Sequence, residues 1–231
     1  MATNVNPEAS MAAGAKAYRG MAMEGAIARW YARNTARDAG RFEEAARGVA
    51  ARAAPGARVL ELAPGPGYLA VALARRGYDV TGLDVSRSFV EIARENAARA
   101  GVAARFEHGD AAHLPFEDAS FDFVVCTAAF KNFTDPLGAL DEVHRVLRPG
   151  GGASIQDLRK DAPLEAIRDE VRRMGLSRLN AAITLWTFRL VLLRNAYPRD
   201  ALERLVARSR FGTGEVVEQG IGFDLRLARR A

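Results

Sequence analysis

Val59-Leu60-Glu61-Leu62-Ala63-Pro64-Gly65-Pro66-Gly67-Tyr68-Leu69-Ala70 decides how the rest of the chain is read. Val59, Leu60 and Leu62 are apolar and β-prone, so the stretch begins as a buried strand, with Arg58 leading in from a Pro-Gly turn. It breaks into a Gly/Pro loop and resumes as an Ala/Leu-rich helix through Leu73 and Ala74. A strand, a glycine loop and a helix in that order set backbone amides and a helix N-terminus against a ligand. Glycine permits the close approach because it lacks a Cβ and reaches positive φ. Glu61 is the odd residue. A carboxylate at the tip of such a strand is ill suited to cradling a phosphate and well suited to accepting hydrogen bonds or facing a positive charge.

Around this loop the chain alternates at βαβ spacing. Asp79 to Asp84 reads as a second strand, Ser86 to Ala100 as its helix, Ala103 to Glu107 as a third strand, Ser120 to Cys126 as a fourth and Pro136 to Leu147 as the helix after it. Arg148-Pro149-Gly150-Gly151-Gly152 then makes a glycine turn ahead of a fifth strand ending near Asp157. That order implies a parallel, doubly wound α/β sheet. After Asp157 the pattern changes. Residues 163–196 carry two helical stretches, with Leu176, Leu179, Ile183, Trp186, Leu190 and Leu193 in an apolar stripe at spacings of three and four. A helix from Tyr197-Pro198 and a hairpin from Gly212 to Ala228 close the chain.

The G-x-G-x-x-A loop is shared with dinucleotide-binding folds, and Asp84, at the end of the second strand, fits ribose hydroxyls in either case. Three further pieces separate the two readings: Gly109-Asp110-Ala111 after the third strand, the apolar fourth strand, and the Arg148-Pro149-Gly150-Gly151 turn. Together, from about Arg58 to Asp157, they resemble the class I S-adenosylmethionine-dependent methyltransferases, and within them the group containing the ubiquinone and menaquinone C-methyltransferases. The resemblance implies a Rossmann-like, mostly parallel seven-stranded sheet with an antiparallel last strand and a helical cap. The whole chain is then one domain: residues 1–12 disordered, 13–54 lid helices, 58–157 the cofactor-binding core, 163–196 the cap insertion and 198–231 the C-terminal helix and hairpin.

It also implies a task for each position. Glu61 would organise the methionine end of S-adenosyl-L-methionine, through water, beneath its positive charges. Ala63, Gly65 and Gly67 would let the backbone lie along methionine and ribose. Asp84 would accept both ribose hydroxyls and Val85 would pack on the adenine face. Asp110 and the Ala111 amide would read the adenine edge, while Thr127 and Ala128 would border the reacting methyl. Tyr31 matches an N-terminal tyrosine that covers the cofactor, with Tyr18 and Arg19 as looser candidates for the same lid.

Methyl transfer needs little from a dedicated base when acceptor, methyl and sulfur are held in line. The acceptor-side candidates are correspondingly modest: Lys131 and Asn132 beyond the fourth strand, and Asp157 with Arg159 after the fifth. Lys131 reads equally as a group that orients an anionic acceptor and as a surface lysine. The Asn/Asp-Pro-Pro-aromatic motif of adenine- and glutamine-specific enzymes is missing from this position. Trp30 and Trp186 read as core packing, and His144 as solvent-facing. His108 and His113 lack a second ligand at metal spacing, so no metal site is expected.

Bulk properties set the outer limits. At 231 residues, 49% apolar and 26% charged, composition is that of an ordinary globular chain, with no apolar run long enough to cross a bilayer. The single cysteine, Cys126, sits in the fourth strand's apolar run and excludes a disulfide framework. Residues 1–10 lack the basic-then-apolar pattern of a secretory signal, so the cytoplasm is the expected compartment. The net charge of +5 comes from arginines scattered among alanines and acids, a solvated-face pattern that disfavours nucleic acid as partner. A small-molecule methyl acceptor is the expected partner, and the resemblance leaves room for a homodimer. The competing readings are a methyltransferase for structured RNA, a nicotinamide-dependent oxidoreductase, and a fold member that keeps the cofactor for a reaction other than methylation.

Overall fold

The computed structural model describes residues 18–19, 23–175, 177–187 and 192–231. Seven strands form one sheet in the order β3-β2-β1-β4-β5-β7-β6. Strands β1 (Arg58–Leu62), β2 (Asp79–Asp84), β3 (Ala104–His108), β4 (Phe121–Thr127) and β5 (Leu147–Leu158) run parallel. Strands β6 (Glu215–Gln219) and β7 (Gly222–Ala228) add an antiparallel hairpin to the β5 edge. The mostly parallel, doubly wound sheet expected from the sequence is therefore the one that forms.

Side-chain alternation divides the core between the two faces. Leu60, Leu62, Val124, Cys126 and Ile155 pack on one face with Leu140 and Val143 of α5 (Pro136–Val146). Val59, Val80, Phe123 and Val125 pack on the other with Leu69 and Leu73 of α3 (Tyr68–Ala74) and Ala93 of α4 (Arg87–Ala100). Ala46 and Val49 of α2 (Ala39–Ala50) join that second layer. Burying each such leucine or valine is worth about 1.5–3 kcal/mol. The pairings Leu62↔Leu83 and Leu62↔Cys126 align the carboxyl ends of β1, β2 and β4, and α1 (Gly25–Thr35) crosses that edge. Beyond β5, α6 (Leu164–Arg173) and α7 (Arg178–Thr187) occupy the segment expected as the cap, and α8 (Arg199–Arg208) returns to the sheet.

Several expectations need correction. The glycine run Gly150-Gly151-Gly152 lies within β5 as an irregularity between the pairs Phe121↔Leu147 and Phe123↔Gly152, so α5 passes directly into the strand and Leu147 heads β5. The reason is the hairpin: Gly150 N–H donates to Arg229 O and Arg229 N–H donates to Gly151 O, each at 2.9 Å, so the glycine run pairs with the segment after β7. Trp30 and Trp186 are not core residues, standing 60% and 62% exposed. The apolar stripe of the cap is only partly covered, since Leu193 is buried and Ile183 is 54% exposed. His144 is half-buried rather than fully solvent-facing: its ring packs edge-on against Phe211, and its Nδ1 is buried without a partner among the described residues. The disorder expected for residues 1–12 lies outside the described residues, as do Leu176, Leu190 and the side chain of Leu179.

Candidate functional site

The loop after β1 is a run of left-handed backbone. Ala63, Gly65 and Gly67 have φ of 53°, 54° and 77°. Gly67 must be glycine for two reasons: its φ is positive, and a Cβ there would stand 2.8 Å from Ala93 Cβ and 3.1 Å from Phe106 Cζ. The loop therefore seats directly on α4. Ala63 lacks glycine's freedom and costs roughly 1–2 kcal/mol in that conformation. It is held there by its N–H donating to Leu83 O at 2.8 Å. Asn96 Nδ2 donates to Pro66 O at 2.8 Å and fixes the far side of the turn.

Asp84 is the organising acid. Its Oδ2 accepts from the Gly65 N–H at 3.0 Å and its Oδ1 from the Ser86 N–H at 2.8 Å, so one carboxylate ties the glycine loop to the start of α4. Burial pushes its pKa up to about 6 despite those amides. Glu61 lies on the same face of β1 as Val59, at the carboxyl end of the strand. It is 2% exposed, its Oε2 has no hydrogen-bond partner among the described residues, and burial, with Asp84 adding, lifts its pKa to about 8. A buried carboxyl with an orphaned oxygen beside a second buried carboxylate is a costly arrangement unless a cationic or donor group completes it.

The remaining cofactor-side candidates line up along the same edge. Gly109 N–H donates to Asp84 O at 3.0 Å and brings the Gly109-Asp110-Ala111 turn beside β2. Asp110 Oδ1 accepts from the Ala112 N–H at 3.0 Å, so this side chain first caps its own turn. Val85, at the tip of β2, is 38% exposed, and His108 Nε2 lies 3.1 Å from Val85 O. Thr127 ends β4, and Ala128 follows it with φ 58° and its N–H on Gln156 O at 2.7 Å. Tyr31 packs edge-on against Phe89 of α4, 5.7 Å between ring centroids, and the residue as a whole is 36% exposed.

On the β4–β5 side the acceptor candidates converge. Lys131 is not a surface lysine. Its Nζ donates to Asp157 Oδ1 at 2.7 Å and to Ala128 O at 3.2 Å, while its backbone N–H donates to Asp157 Oδ2 at 2.9 Å. The side chains of this pair are 12% and 0% exposed. Asn132 Nδ2 donates to Tyr18 Oη at 2.8 Å, and Asn132 Oδ1 accepts from Asn195 of the cap at 3.3 Å. Tyr18 bridges to Phe133, and Arg19 N–H donates to Asn132 O at 2.7 Å, so this N-terminal segment lies across the turn after β4. Burial raises the Tyr18 pKa, and the charges of Asp84 and Asp157 push it further. Arg159 stays out of this group. It pairs with Asp161 at 2.9 Å and with Glu218 of the hairpin, so its role is to tie the cap segment to the sheet.

Two residues escaped sequence reading. Ser86 caps α4, accepting from the Phe89 N–H at 3.1 Å, and donates to Met23 O at 2.6 Å. A serine ahead of an apolar-periodic helix is a signal that could have found it. Glu24 accepts from the Arg87 and Ser88 amides at 3.1 and 3.0 Å, which holds α1 onto the N-terminus of α4. No local pattern points to Glu24, because its partners lie more than sixty residues away.

Residues 60–155 match the family described as Methyltransferase domain, a segment that runs from β1 to β5 and contains Glu61, Asp84, Asp110 and Lys131. Over 96 residues the chain is 43% identical to a demethylmenaquinone methyltransferase from Deinococcus radiodurans, covering 41% of this chain and 40% of that protein. It is 45% identical over 96 residues to one from Thermus thermophilus, covering 41% of this chain and 44% of the relative. The match thus spans about two fifths of the curated relatives' length. A SAM dependent methyltransferase from Aquifex aeolicus superposes with a TM-score of 0.62 at 19% identity, over 81% of this chain and 89% of that one, and shares the fold.

Proposed function

We propose that this chain, whose residues 60–155 form a methyltransferase domain, moves a methyl group from S-adenosylmethionine to an O, N or C atom of a small, largely apolar acceptor of the quinone class. The observation that carries the reading is Glu61, a buried carboxyl with an unmatched oxygen beneath a left-handed glycine loop. A phosphate-bearing dinucleotide would meet repulsion from this acid once it ionised. A sulfonium and ammonium pair would meet the charge it lacks. The names of the Deinococcus and Thermus relatives supply the acceptor class.

The cofactor, when bound, supplies an electrophilic methyl on positively charged sulfur. The chain's own groups do the rest. Glu61 holds its proton in the empty site near neutral pH and ionises against positive charge. Asp84 spends one lone pair of each oxygen on a backbone amide and keeps one for a ribose hydroxyl. Val85 and the Asp110-Ala111 turn form the adenine side. Lys131 uses two of its three N–H groups on Asp157 and Ala128, which leaves one for an acceptor oxygen. Tyr18, accepting from Asn132, keeps its own proton for the same purpose. Holding acceptor and donor in line by these contacts supplies much of the acceleration, and the proton that a quinol acceptor gives up on methylation passes to solvent.

The test uses methyl-tritiated S-adenosylmethionine with hydroxylated naphthalenes and quinols as acceptors, followed by organic extraction. Label appearing in the organic phase supports the proposal. Label remaining on the cofactor with every acceptor, despite cofactor binding, overturns it in favour of a reaction other than methylation.

A further inference from the structure

Eight of the nine large hydrophobic residues exposed among the described residues belong to α1 or to the cap segment 164–192. The ninth, Val85, lies at the tip of β2 on the same edge of the sheet. Both helical segments rise from the carboxyl edge: α1 is held to the start of α4 by Glu24, and the cap reaches Asn132 through Asn195. Helix α1 is inverted relative to an ordinary surface helix. Its small residues Ala28 and Ala32 face the protein, while at about 100° per residue Ile27 and Trp30 fall on the opposite side. Ile27 is 44% and Trp30 60% exposed, and Trp186 of α7 is 62% exposed.

Charge on this face contrasts with that on α6. On α6 the arginines are neutralised in place, Arg168, Arg172 and Arg173 pairing with acids three residues back, and on α8 Arg199 and Arg204 pair with acids four residues away. Arg29 and Arg33, which flank the Ile27–Trp30 stripe, and Arg37 just beyond are exposed, and none takes part in an ion pair among the described residues. An apolar, tryptophan-bearing stripe edged by unneutralised arginines has the composition of a helix that lies in a lipid–water interface.

We infer that the carboxyl-edge face carrying α1 and α7 docks on an anionic lipid bilayer, so that the mouth of the site opens toward the phase in which an apolar acceptor dissolves. The inference rests on the proposed apolar acceptor. Trp30 and Ile27 enter the headgroup region, and Arg29, Arg33 and Arg37 meet lipid phosphates. Each such arginine contributes about five-fold to the partition coefficient at moderate salt.

The chain contains only two tryptophans, one exposed on α1 and one on α7, so intrinsic fluorescence reports these two helices directly. The full chain is mixed with vesicles of phosphatidylcholine alone, or of phosphatidylcholine and phosphatidylglycerol at 7:3, and followed by co-sedimentation and emission wavelength. Binding to the anionic vesicles with a blue shift is expected. Partitioning should weaken at least ten-fold in Arg29→Glu/Arg33→Glu and on raising salt, and most of the blue shift should vanish in Trp30→Ser. Titration with S-adenosylhomocysteine accompanies each variant. A chain that binds this nucleoside but ignores anionic vesicles at low salt overturns the docking surface and leaves the proposed activity standing; the reverse result overturns the activity alone. A blue shift that appears with concentration in the absence of lipid, as a dimer forms, also overturns the lipid surface. So does tight RNA binding lost in the same arginine variant without vesicle binding.

Discussion

Replacing Glu61 with glutamine should make the empty protein more tolerant of alkaline pH while weakening its hold on a cationic ligand. The Glu61 carboxyl has its pKa lifted from an ordinary 4.5 to about 8, chiefly by burial. A carboxyl whose pKa is higher in the native state than in the unfolded chain keeps its proton more firmly when folded. The stability it gives is therefore complete below about pH 4.5 and is lost as pH rises through about 8. At 1.36 kcal/mol per pH unit, full ionisation costs the fold about 5 kcal/mol, of which about 4 kcal/mol falls between pH 5 and pH 9. Glutamine does not titrate, so Glu61→Gln should escape that loss. Urea denaturation of both proteins from pH 5 to pH 9 measures it. The wild type should lose about 4 kcal/mol relative to the variant across the range, or roughly 10 °C in Tm for a chain of this size. Asp84, also lifted, is present in both proteins and largely cancels. A stability difference that is flat, or that shifts in favour of the wild type as pH rises, would refute the idea that Glu61 is a buried carboxyl waiting for a partner.

Gly67→Ala should destabilise by about 3 kcal/mol, combining a left-handed non-glycine residue with a Cβ that meets Ala93 at 2.8 Å, and chemical denaturation reads the loss. Lys131→Met leaves Asp157 buried and uncompensated and should cost about 3–5 kcal/mol. The double variant Lys131→Met/Asp157→Leu should recover most of that stability without recovering methyl transfer, which separates the pair's structural weight from its role toward the acceptor.

The fold was legible because its signals are local and repeated. The apolar strands, the Gly/Pro loop at 63–67 and the acid ending β2 each follow from a few adjacent residues, and the sheet assembles around them as expected. Glu61 drew attention as the charged residue within an apolar strand, and the structure adds that its Oε2 has no partner. What sequence could not show is contact between distant segments. Lys131 looked like a helix-leading surface residue because Asp157, which covers it, lies twenty-six positions on. Glu24 and Tyr18 act on residues 63 and 114 positions away, through packing that leaves no periodic trace. Trp30 and Trp186 misled for the opposite reason. Hydrophobicity placed them in the core, whereas the helices that carry them turn small or other apolar residues inward.

The central claim is that the edge holding Glu61, Gly65 and Asp84 binds an adenosyl sulfonium cofactor. Calorimetric titration with S-adenosylhomocysteine, on the wild type and on Asp84→Ala, tests it most directly. One molecule should bind per chain with micromolar-class affinity, and the alanine variant should lose at least a hundredfold, with nicotinamide dinucleotides giving no heat. A wild type that binds NAD or NADP and not S-adenosylhomocysteine, or an Asp84→Ala variant that binds as tightly as the wild type, would contradict it.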